Sequence, residues 1–197
     1  MATRKLALPD IADQRAYERE RDDFRTRVIE LKRRRRVPLG TFISVVFESR
    51  ETIRFQIQEM ARVEKLMTDH DIQIELDTYN ALVPEPGQLC ATLFIELTSD
   101  DSMKEWLPRL VGIEHSLAIR LADGRLVRAV PEEAHAAPLT RTDVTSAVHY
   151  YRFEFTADEI AGFANGDASL ILDHPACPEQ TELAPHTIRE LLSDLTG

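Results

Sequence analysis

The chain has 197 residues, of which 43% are hydrophobic and 29% charged, and its formal net charge is −10. This length and composition favour one folded domain with a sizeable core and argue against a disordered chain. No apolar run approaches the roughly 18 residues that a membrane-spanning helix needs, and the start MATRKLALPD lacks the apolar stretch of a secretory signal. The two cysteines are far apart and in no paired motif, so we expect a cytoplasmic protein without disulfides.

Charge is distributed unevenly along the chain. Residues 1–36 contain 12 Lys or Arg and 7 Asp or Glu, a net charge of +5, whereas residues 37–197 contain 12 and 27, a net charge of −15. We therefore divide the chain into an N-terminal helical arm, residues 1–38, and a single α+β domain, residues 39–197. A basic arm on an acidic body predicts contacts with carboxylate-rich protein surfaces.

The first predicted element is a long helix in the segment PDIADQRAYERERDDFRTRVIELKRRRR. Asp10 is its predicted N-cap. Tyr17, Phe24 and Leu31 recur every seven residues and form a narrow apolar stripe together with Val28. Because so narrow a stripe cannot stabilise a helix of about 25 residues alone in water, the helix must pack on its own body or on another subunit.

The segment TFISVVFESRETIRFQIQ is predicted to form a β-hairpin. Residues 41–47 and 52–58 are rich in strand-forming residues, and the polar residues 48–51 between them would form the turn. In the second strand, Arg54, Gln56 and Gln58 would share one polar face. A helix is predicted next in EMARVEKLMTDH, with Val63 and Met67 on its apolar face.

The following segments alternate between helical and extended patterns. DIQIELDTYNAL fits both a strand and a helix, and we favour the helix; LCATLFIEL is apolar on both faces, which is typical of a central strand. SDDSMKEWLPRL is predicted to be a short helix capped by Ser99, and SLAIRLADGRLVRAV a hairpin around Asp123 and Gly124. We expect the segment PEEAHAAPL to be the most flexible connection of the chain.

The last quarter of the chain completes the predicted fold. DVTSAVHYYRFEFT is a long strand, Thr156 and Glu159 form the capping box of a short helix, ASLILDHP is the last strand, and APHTIRELLSDL is the closing helix. Cys90 is expected in a strand and Cys177 in a loop. Helices mixed with hairpin-connected strands predict an α+β fold with a mainly antiparallel sheet, flanking helices and a long N-terminal amphipathic helix.

The run of arginines at 33–36 is the first candidate site. It could bind phosphates, or it could close a helix, where cations complement the C-terminal dipole and pair with carboxylates. No aromatic residues are interleaved with it, and the acidic body would repel a polyanion, so nucleic acid is an unlikely ligand. We expect Arg33, Arg34, Arg35 and Arg36 to contact protein, either a partner or a second copy of the chain.

The polar face of residues 54–58 is the second candidate site. If this face is exposed, it is the solvated side of a sheet. If a helix covers it, Arg54, Gln56, Gln58 and Glu59 would converge in a ligand-binding cleft. Glu96 would join them there as a metal ligand, because buried carboxylates must be paired, hydrogen-bonded or bound to metal. His149, on a strand with apolar neighbours, is the second candidate metal ligand or a general base. No G-x-S-x-G or glycine-rich phosphate motif is present.

Five strings resemble one family when taken together: DIADQRAYERERDDFRTRVIELKRRRR, RFQIQEMARVEK, LFIELT, LVGIEHS and ILDHPA. They are similar to a bacterial family catalogued as domain of unknown function 3501, over nearly the whole chain. The resemblance implies a genomic context beside a rubrerythrin and an iron–sulfur oxidoreductase, and it implies no catalytic residues. This chain lacks the cysteines of an iron–sulfur cluster and the paired Glu-x-x-His of a di-iron bundle.

Two functions remain open from the sequence. The first is an accessory or interaction protein of a cytoplasmic redox or peroxide-stress module, with the rubrerythrin or the oxidoreductase as partner. The alternative is a metal-dependent enzyme or small-molecule binder that uses the polar cleft.

Overall fold

The computed structural model describes residues 4–132 and 143–197. These residues form an α+β fold with mainly antiparallel sheets, flanking helices and a long N-terminal helix, as predicted. The α-helices of this part are α1 Gln14–Arg35, α2 Arg50–Glu64, α3 Asp69–Tyr79, α4 Asp100–Arg109, α5 Ala157–Ala164 and α6 Pro185–Thr196. The strands are β1 Arg36–Leu39, β2 Ile43–Glu48, β3 Gln88–Ile95, β4 Leu117–Arg120, β5 Leu126–Arg128, β6 Val130–Pro131, β7 Val148–Glu154, β8 Ser169–His174 and β9 Cys177–Glu182.

Two antiparallel sheets enclose the main core. The five-stranded sheet has the order β1-β2-β3-β7-β6, so LCATLFIEL is a central strand as predicted, and the four-stranded sheet has the order β5-β4-β8-β9. The largest apolar cluster joins Phe47 and Tyr151 of the first sheet to Ile119 and Leu170 of the second, with Leu191 of α6. Helix α1 packs on α2, β2 and α6.

Helices α1, α2 and α3 contribute two smaller apolar clusters. Tyr17, Phe24 and Val28 of α1 are buried against Phe55, and the rings of Phe24 and Phe55 meet edge-on at 5.4 Å. Ile53 and Ile57 of α2 pack with Leu76 of α3 and with Tyr150 of β7. The apolar stripe predicted on the first helix is therefore used within the chain. Leu31, its last predicted member, is only partly buried.

The termini of α1 differ from the prediction by a few residues. Its N-cap is Asp13, whose side chain accepts a hydrogen bond from the Ala16 backbone at 2.9 Å, whereas Asp10 belongs to a preceding short 3-10 turn. The helix ends at Arg35, and strand β1 follows at once with Arg36. The sequence analysis did not predict this strand.

The predicted hairpin after β2 is wrong, because residues 50–64 form helix α2. Ser49 and Thr52 form a reciprocal capping box: the Ser49 hydroxyl accepts from the Thr52 N–H and the Thr52 hydroxyl accepts from the Ser49 N–H. Ile53, Ile57 and Ala61 are buried at a spacing of four residues, the period of a helix face. The β-branched residues that suggested a strand are therefore the buried side of a helix.

Most of the other predicted elements are present. DIQIELDTYNAL is helical, Ser99 caps α4, β4 pairs with β5 around Asp123 and Gly124, and Thr156 and Glu159 cap α5. Three details differ: β7 is shorter than predicted, β9 and not β8 is the last strand, and Cys177 lies buried in β9 and not in a loop. The connection predicted as flexible lies, apart from its first two residues, outside the described residues. In the part of the chain that is described, no helix is long and apolar enough to cross a membrane.

Candidate functional site

The arginine run at the end of α1 pairs with carboxylates of the same chain. Arg35 is 2% exposed; its guanidinium donates to Asp194 at 2.6 Å, to Glu190 at 3.3 Å and to the carbonyl of Glu48 at 3.3 Å. Arg34 donates to the other oxygen of Glu190 at 3.2 Å. Helix α6 thus supplies counter-charge to a helix end that lies more than 150 residues earlier in the chain.

The two outer members of the run are more exposed. Arg33 donates to Glu30, one turn earlier on α1, at 2.8 Å. Arg36 starts β1, where its guanidinium contacts Glu96 and donates to the Ser44 hydroxyl at 3.0 Å. The Ser44 hydroxyl also donates to Glu96 at 2.6 Å. The hydrogen bond from Ser44 to Glu96, followed by the one from Arg36 to Glu96, holds the pKa of Glu96 below its usual value. Partner binding through Arg33–Arg36 stays a prediction, and most of the charge of the run is already compensated within the chain.

Glu59 of α2 holds α1 through a charged network. Its carboxylate accepts two hydrogen bonds from Arg21, both at 2.8 Å, and one from the Tyr17 hydroxyl at 2.7 Å. The hydrogen bonds from Arg21, followed by the one from Tyr17, lower the pKa of Glu59. Burial, followed by the contact with Glu59, raises the pKa of Tyr17.

Arg54 and Gln58, one helical turn apart on α2, hold the segment before α1. Arg54 donates to the carbonyl of Asp10 at 2.7 Å, and its guanidinium lies 4.8 Å from the centre of the Phe24 ring. The Gln58 side chain accepts from the Ala12 N–H at 2.7 Å and donates to the Ala12 carbonyl at 3.2 Å. Because these residues lie on a helix, Gln56 projects on a different side, so the three do not share one polar face as predicted.

Glu96, a predicted metal ligand, and Glu59, a predicted ligand-binding residue, lie in separate surroundings. Glu96 is paired with Arg36 and Ser44, whereas Glu59 is paired with Arg21 and Tyr17. The predicted convergence of Glu96 with the α2 residues in one cleft is therefore wrong.

His149 lies in β7, and its Nε2 is 2.9 Å from the carbonyl of Ser146 and 3.0 Å from the Thr145 hydroxyl. Burial lowers the pKa of His149. Across residues 4–132 and 143–197, no three His, Cys, Asp or Glu side chains are grouped so that they could hold a metal ion. Metal binding by Glu96 or His149 stays a prediction.

Both cysteines are buried and free. Burial raises the pKa of Cys90 to about 12, and it also raises the pKa of Cys177. Because the thiolate is the reactive form of cysteine, burial lowers the reactivity of both thiols in the folded protein.

A groove lies where the start of α1 meets the corner between α2 and α3. A cavity of about 170 Å³ has an apolar floor that includes Leu8, Ile11, Leu66 and Ile72, with Tyr17 and Gln58 beside them. A more open depression of about 570 Å³ continues from it along α1, lined by Asp13, Gln14, Arg15, Glu18, Arg19 and Met67. We name the cavity and the depression together the α1–α3 groove.

The rim of the α1–α3 groove is both apolar and charged. Val63 and Met67, at the end of α2 and after it, are 67% and 75% exposed. The helix stops there because Lys65 takes a left-handed conformation with φ 57°, which turns the chain out of the helix before Met67. The prediction that Val63 and Met67 share one apolar helix face is therefore wrong, because α2 ends at Glu64 and Met67 lies beyond it. Opposite them, Arg15 and Arg19 are exposed on α1.

Fold and site together define a class of protein: two antiparallel sheets, a covering layer of helices tied together by arginine–carboxylate pairs, and an amphipathic groove in that layer. The chain belongs to the family described as protein of unknown function (DUF3501), whose model matches residues 5–195. This confirms the resemblance read from the sequence.

One solved structure supports the fold directly. It is the 1.90 Å crystal structure of a novel protein of unknown function from Burkholderia pseudomallei K96243. It is 36% identical, superposes with a TM-score of 0.89, and the match covers 97% of this chain and 99% of that chain. Among curated proteins there is no significant match.

Proposed function

We propose that the protein is an accessory protein that acts by binding another protein in the α1–α3 groove. The observation that carries the proposal is the exposure of Met67, which lines a cavity with an apolar floor, together with the exposed Val63 near the end of α2. Exposed large apolar side chains that are rimmed by polar residues mark interaction sites, and methionine adapts its shape to different partners.

The charges on the rim define the chemistry of the segment that would bind. Arg15 and Arg19 stand on the α1 side of the groove without an ion pair to any described residue. Glu18, between them, is paired with Arg62 at 2.6 Å. A complementary segment would be amphipathic, with an apolar side chain against Met67 and carboxylates opposite the two arginines.

The family resemblance suggests where the partner would be found. We propose a rubrerythrin or an iron–sulfur oxidoreductase of a cytoplasmic redox or peroxide-stress module. The high pKa of the Cys90 thiol, about 12, favours a role in which the partner carries the redox chemistry and this chain contributes binding.

The alternative, a small-molecule binder or metal-dependent enzyme, has less support in the geometry. Polar side chains of the predicted cleft already bond to one another and to the segment before α1: Glu59 to Arg21, and Gln58 to Ala12. The enclosed part of the groove, about 170 Å³, is also smaller than the roughly 300–1,000 Å³ typical of small-molecule sites. Elemental analysis of protein purified without a metal-affinity tag tests this alternative; stoichiometric metal would favour it.

Binding of the purified rubrerythrin and oxidoreductase of the same organism to the full-length chain tests the proposal, with calorimetry as the measurement. We expect micromolar binding of one of them that is lost in Met67→Lys and kept in Leu126→Lys. Leu126 is the matched control, because it is also exposed, at 42%, but lies on β5 of the other sheet. No binding by either protein, or equal binding by both variants, would contradict the proposal.

A further inference from the structure

Exposed apolar side chains concentrate at the α2–α3 corner. Seven large hydrophobic residues of the described chain are markedly exposed, and three of them, Val63, Met67 and Ile74, fall within twelve consecutive positions. Met67 lines the α1–α3 groove, Val63 lies near the end of α2, and Ile74 is 51% exposed on α3 itself. The corner thus carries two apolar surfaces next to each other, a groove and a helix.

Helix α3 has the chemistry that the groove would accept. It carries four carboxylates and no Lys or Arg: Asp69, Asp71, Glu75 and Asp77. Asp71 and Asp77 lie three residues on either side of Ile74, so they flank it on one helix face. Negative charge is in excess on this helix, because no Lys or Arg of α3 balances its carboxylates.

Two arginines on the α1 side of the groove are not paired within the described chain, although Asp13 and Glu18 line the same side. Arg15 and Arg19 are exposed on α1, and neither forms an ion pair with a described residue, whereas Arg34 and Arg35 at the other end of the helix are paired with α6. The same surface therefore presents a groove with an apolar floor and two arginines without an ion pair on its α1 side, beside an acidic helix with an apolar centre. Two such surfaces are complementary when one is turned by 180° against the other.

We propose that two copies of the chain form a two-fold dimer in which α3 of each copy lies in the α1–α3 groove of the other. Ile74 packs on the groove, and Asp77 faces Arg15 and Arg19. Met67, between the groove and α3, lies near the two-fold axis and contacts Met67 of the other copy. The inference rests on the proposed function in one respect, the groove as a protein-docking surface, and it adds regulation: the dimer covers the groove, so a partner and a second copy compete for it.

Charge reversal tests the dimer directly by sedimentation velocity over a range of concentrations. The first variant, Arg15→Glu with Arg19→Glu, reverses the groove; the second, Asp77→Lys with Thr78→Lys, reverses the helix. Each alone would bring like charges together, so we expect its dimer dissociation constant to rise roughly 100-fold or more. Mixed together, the two variants pair opposite charges at both contacts, and we expect the mixture to dimerise like the wild type.

A matched control separates this contact from net charge. Arg25→Glu with Arg33→Glu makes the same charge change on α1, at exposed positions outside the groove. We expect this variant to dimerise normally. A wild-type chain that stays monomeric, a mixture that stays monomeric, or a control that weakens as much as the groove variant would overturn the dimer.

Cross-linking gives a second readout that does not depend on affinity. Both native cysteines are buried, so Met67→Cys introduces the accessible thiol. We expect mild oxidation to give a covalent dimer of this variant and none of Leu126→Cys. Equal cross-linking of the two variants would contradict the placement of the axis at Met67.

Partner binding to the helix-reversed variant distinguishes the two proposals. This variant keeps an unaltered groove that no second copy occupies. If it binds a redox partner while the wild type never dimerises, the dimer is wrong and the proposed function stands. If the dimer behaves as described and neither redox protein binds this variant, the proposed function is wrong and the dimer stands.

Discussion

Replacing Arg35 by methionine removes a buried charge from the centre of the α1–α6 contact. The Arg35 side chain is 3% exposed, and it holds Asp194 at 2.6 Å and Glu190 at 3.3 Å. Methionine preserves most of the apolar stem, so the variant isolates the guanidinium. It removes the donor to Asp194 and to the Glu48 carbonyl, and it leaves Glu190 with Arg34 as its remaining donor.

The size of the effect follows from the burial of the two carboxylates. Breaking a buried ion pair by removing one partner costs about 3–5 kcal/mol, since the remaining charge is left uncompensated. Here Asp194 and Glu190 are 14% and 23% exposed, so water can solvate them in part, and we take the lower end, about 3 kcal/mol. For a domain of this size, that free energy corresponds to a fall in melting temperature of about 6–12 °C.

Chemical denaturation at fixed protein concentration, followed by circular dichroism, measures the free energy of unfolding. Arg33→Met is the matched control, because the Arg33 side chain is 71% exposed and its pair with Glu30 should contribute about 0.5 kcal/mol or less. Adding Glu190→Gln and Asp194→Asn to Arg35→Met should recover part of the loss, since no carboxylate is then left unpaired and Arg34, 49% exposed, is solvated by water. A loss below about 1 kcal/mol for Arg35→Met, or no recovery in the triple variant, would refute the assignment of the run to a structural role.

Three further predictions concern titratable groups. The hydrogen bonds from Arg21 lower the pKa of Glu59 from its ordinary value of 4.5, so the contribution of Glu59 to stability is present above about pH 4.5 and is lost as the pH falls through the folded pKa. Glu59→Gln should flatten the acid limb of a stability–pH curve, and an unchanged limb would count against the network. Burial depresses the pKa of His149 below 6.5. The fold is therefore fully stable with neutral His149 above about pH 6.5, and protonation of His149 destabilises it as the pH falls further. His149→Gln should weaken this dependence of stability on pH, as measured by urea titrations at pH 7 and pH 5.5. Cys90, with a pKa of about 12, should react with iodoacetamide at pH 8 only after denaturant is added. Cys177, whose pKa is also raised, should react slowly in the native protein. Rapid labelling of Cys90 in the native protein would contradict its burial.

Local sequence signals predicted most helices and strands because their information lies within a few residues. The capping box of Thr156 and the Asp123–Gly124 turn are of this kind. The hairpin assignment at 41–58 failed because residues 52–57 alternate like a strand and also repeat every four residues like a helix. The Ser49–Thr52 capping box distinguishes the two, and it uses a threonine where the usual pattern has an acid or amide.

The candidate site was less predictable because it depends on distant contacts. Nothing in the arginine run identifies Glu190 and Asp194 as its partners, more than 150 positions away. The groove depends on one backbone conformation, the left-handed Lys65, which ends α2 and exposes Met67 instead of extending the apolar helix face. A non-glycine residue in that conformation has no strong sequence signal.

The networks that the sequence analysis interpreted as a possible active site are better understood as fixing the groove. Gln58 holds the segment before α1 at Ala12, Glu59 holds the middle of α1 through Arg21, and Arg35 anchors its end to α6. A helix held at three points along its length keeps its free side, with Arg15 and Arg19, in a fixed position relative to Met67. A surface that is ordered before binding avoids part of the entropy cost of association, so the proposed docking surface would lose little conformational freedom when a partner binds.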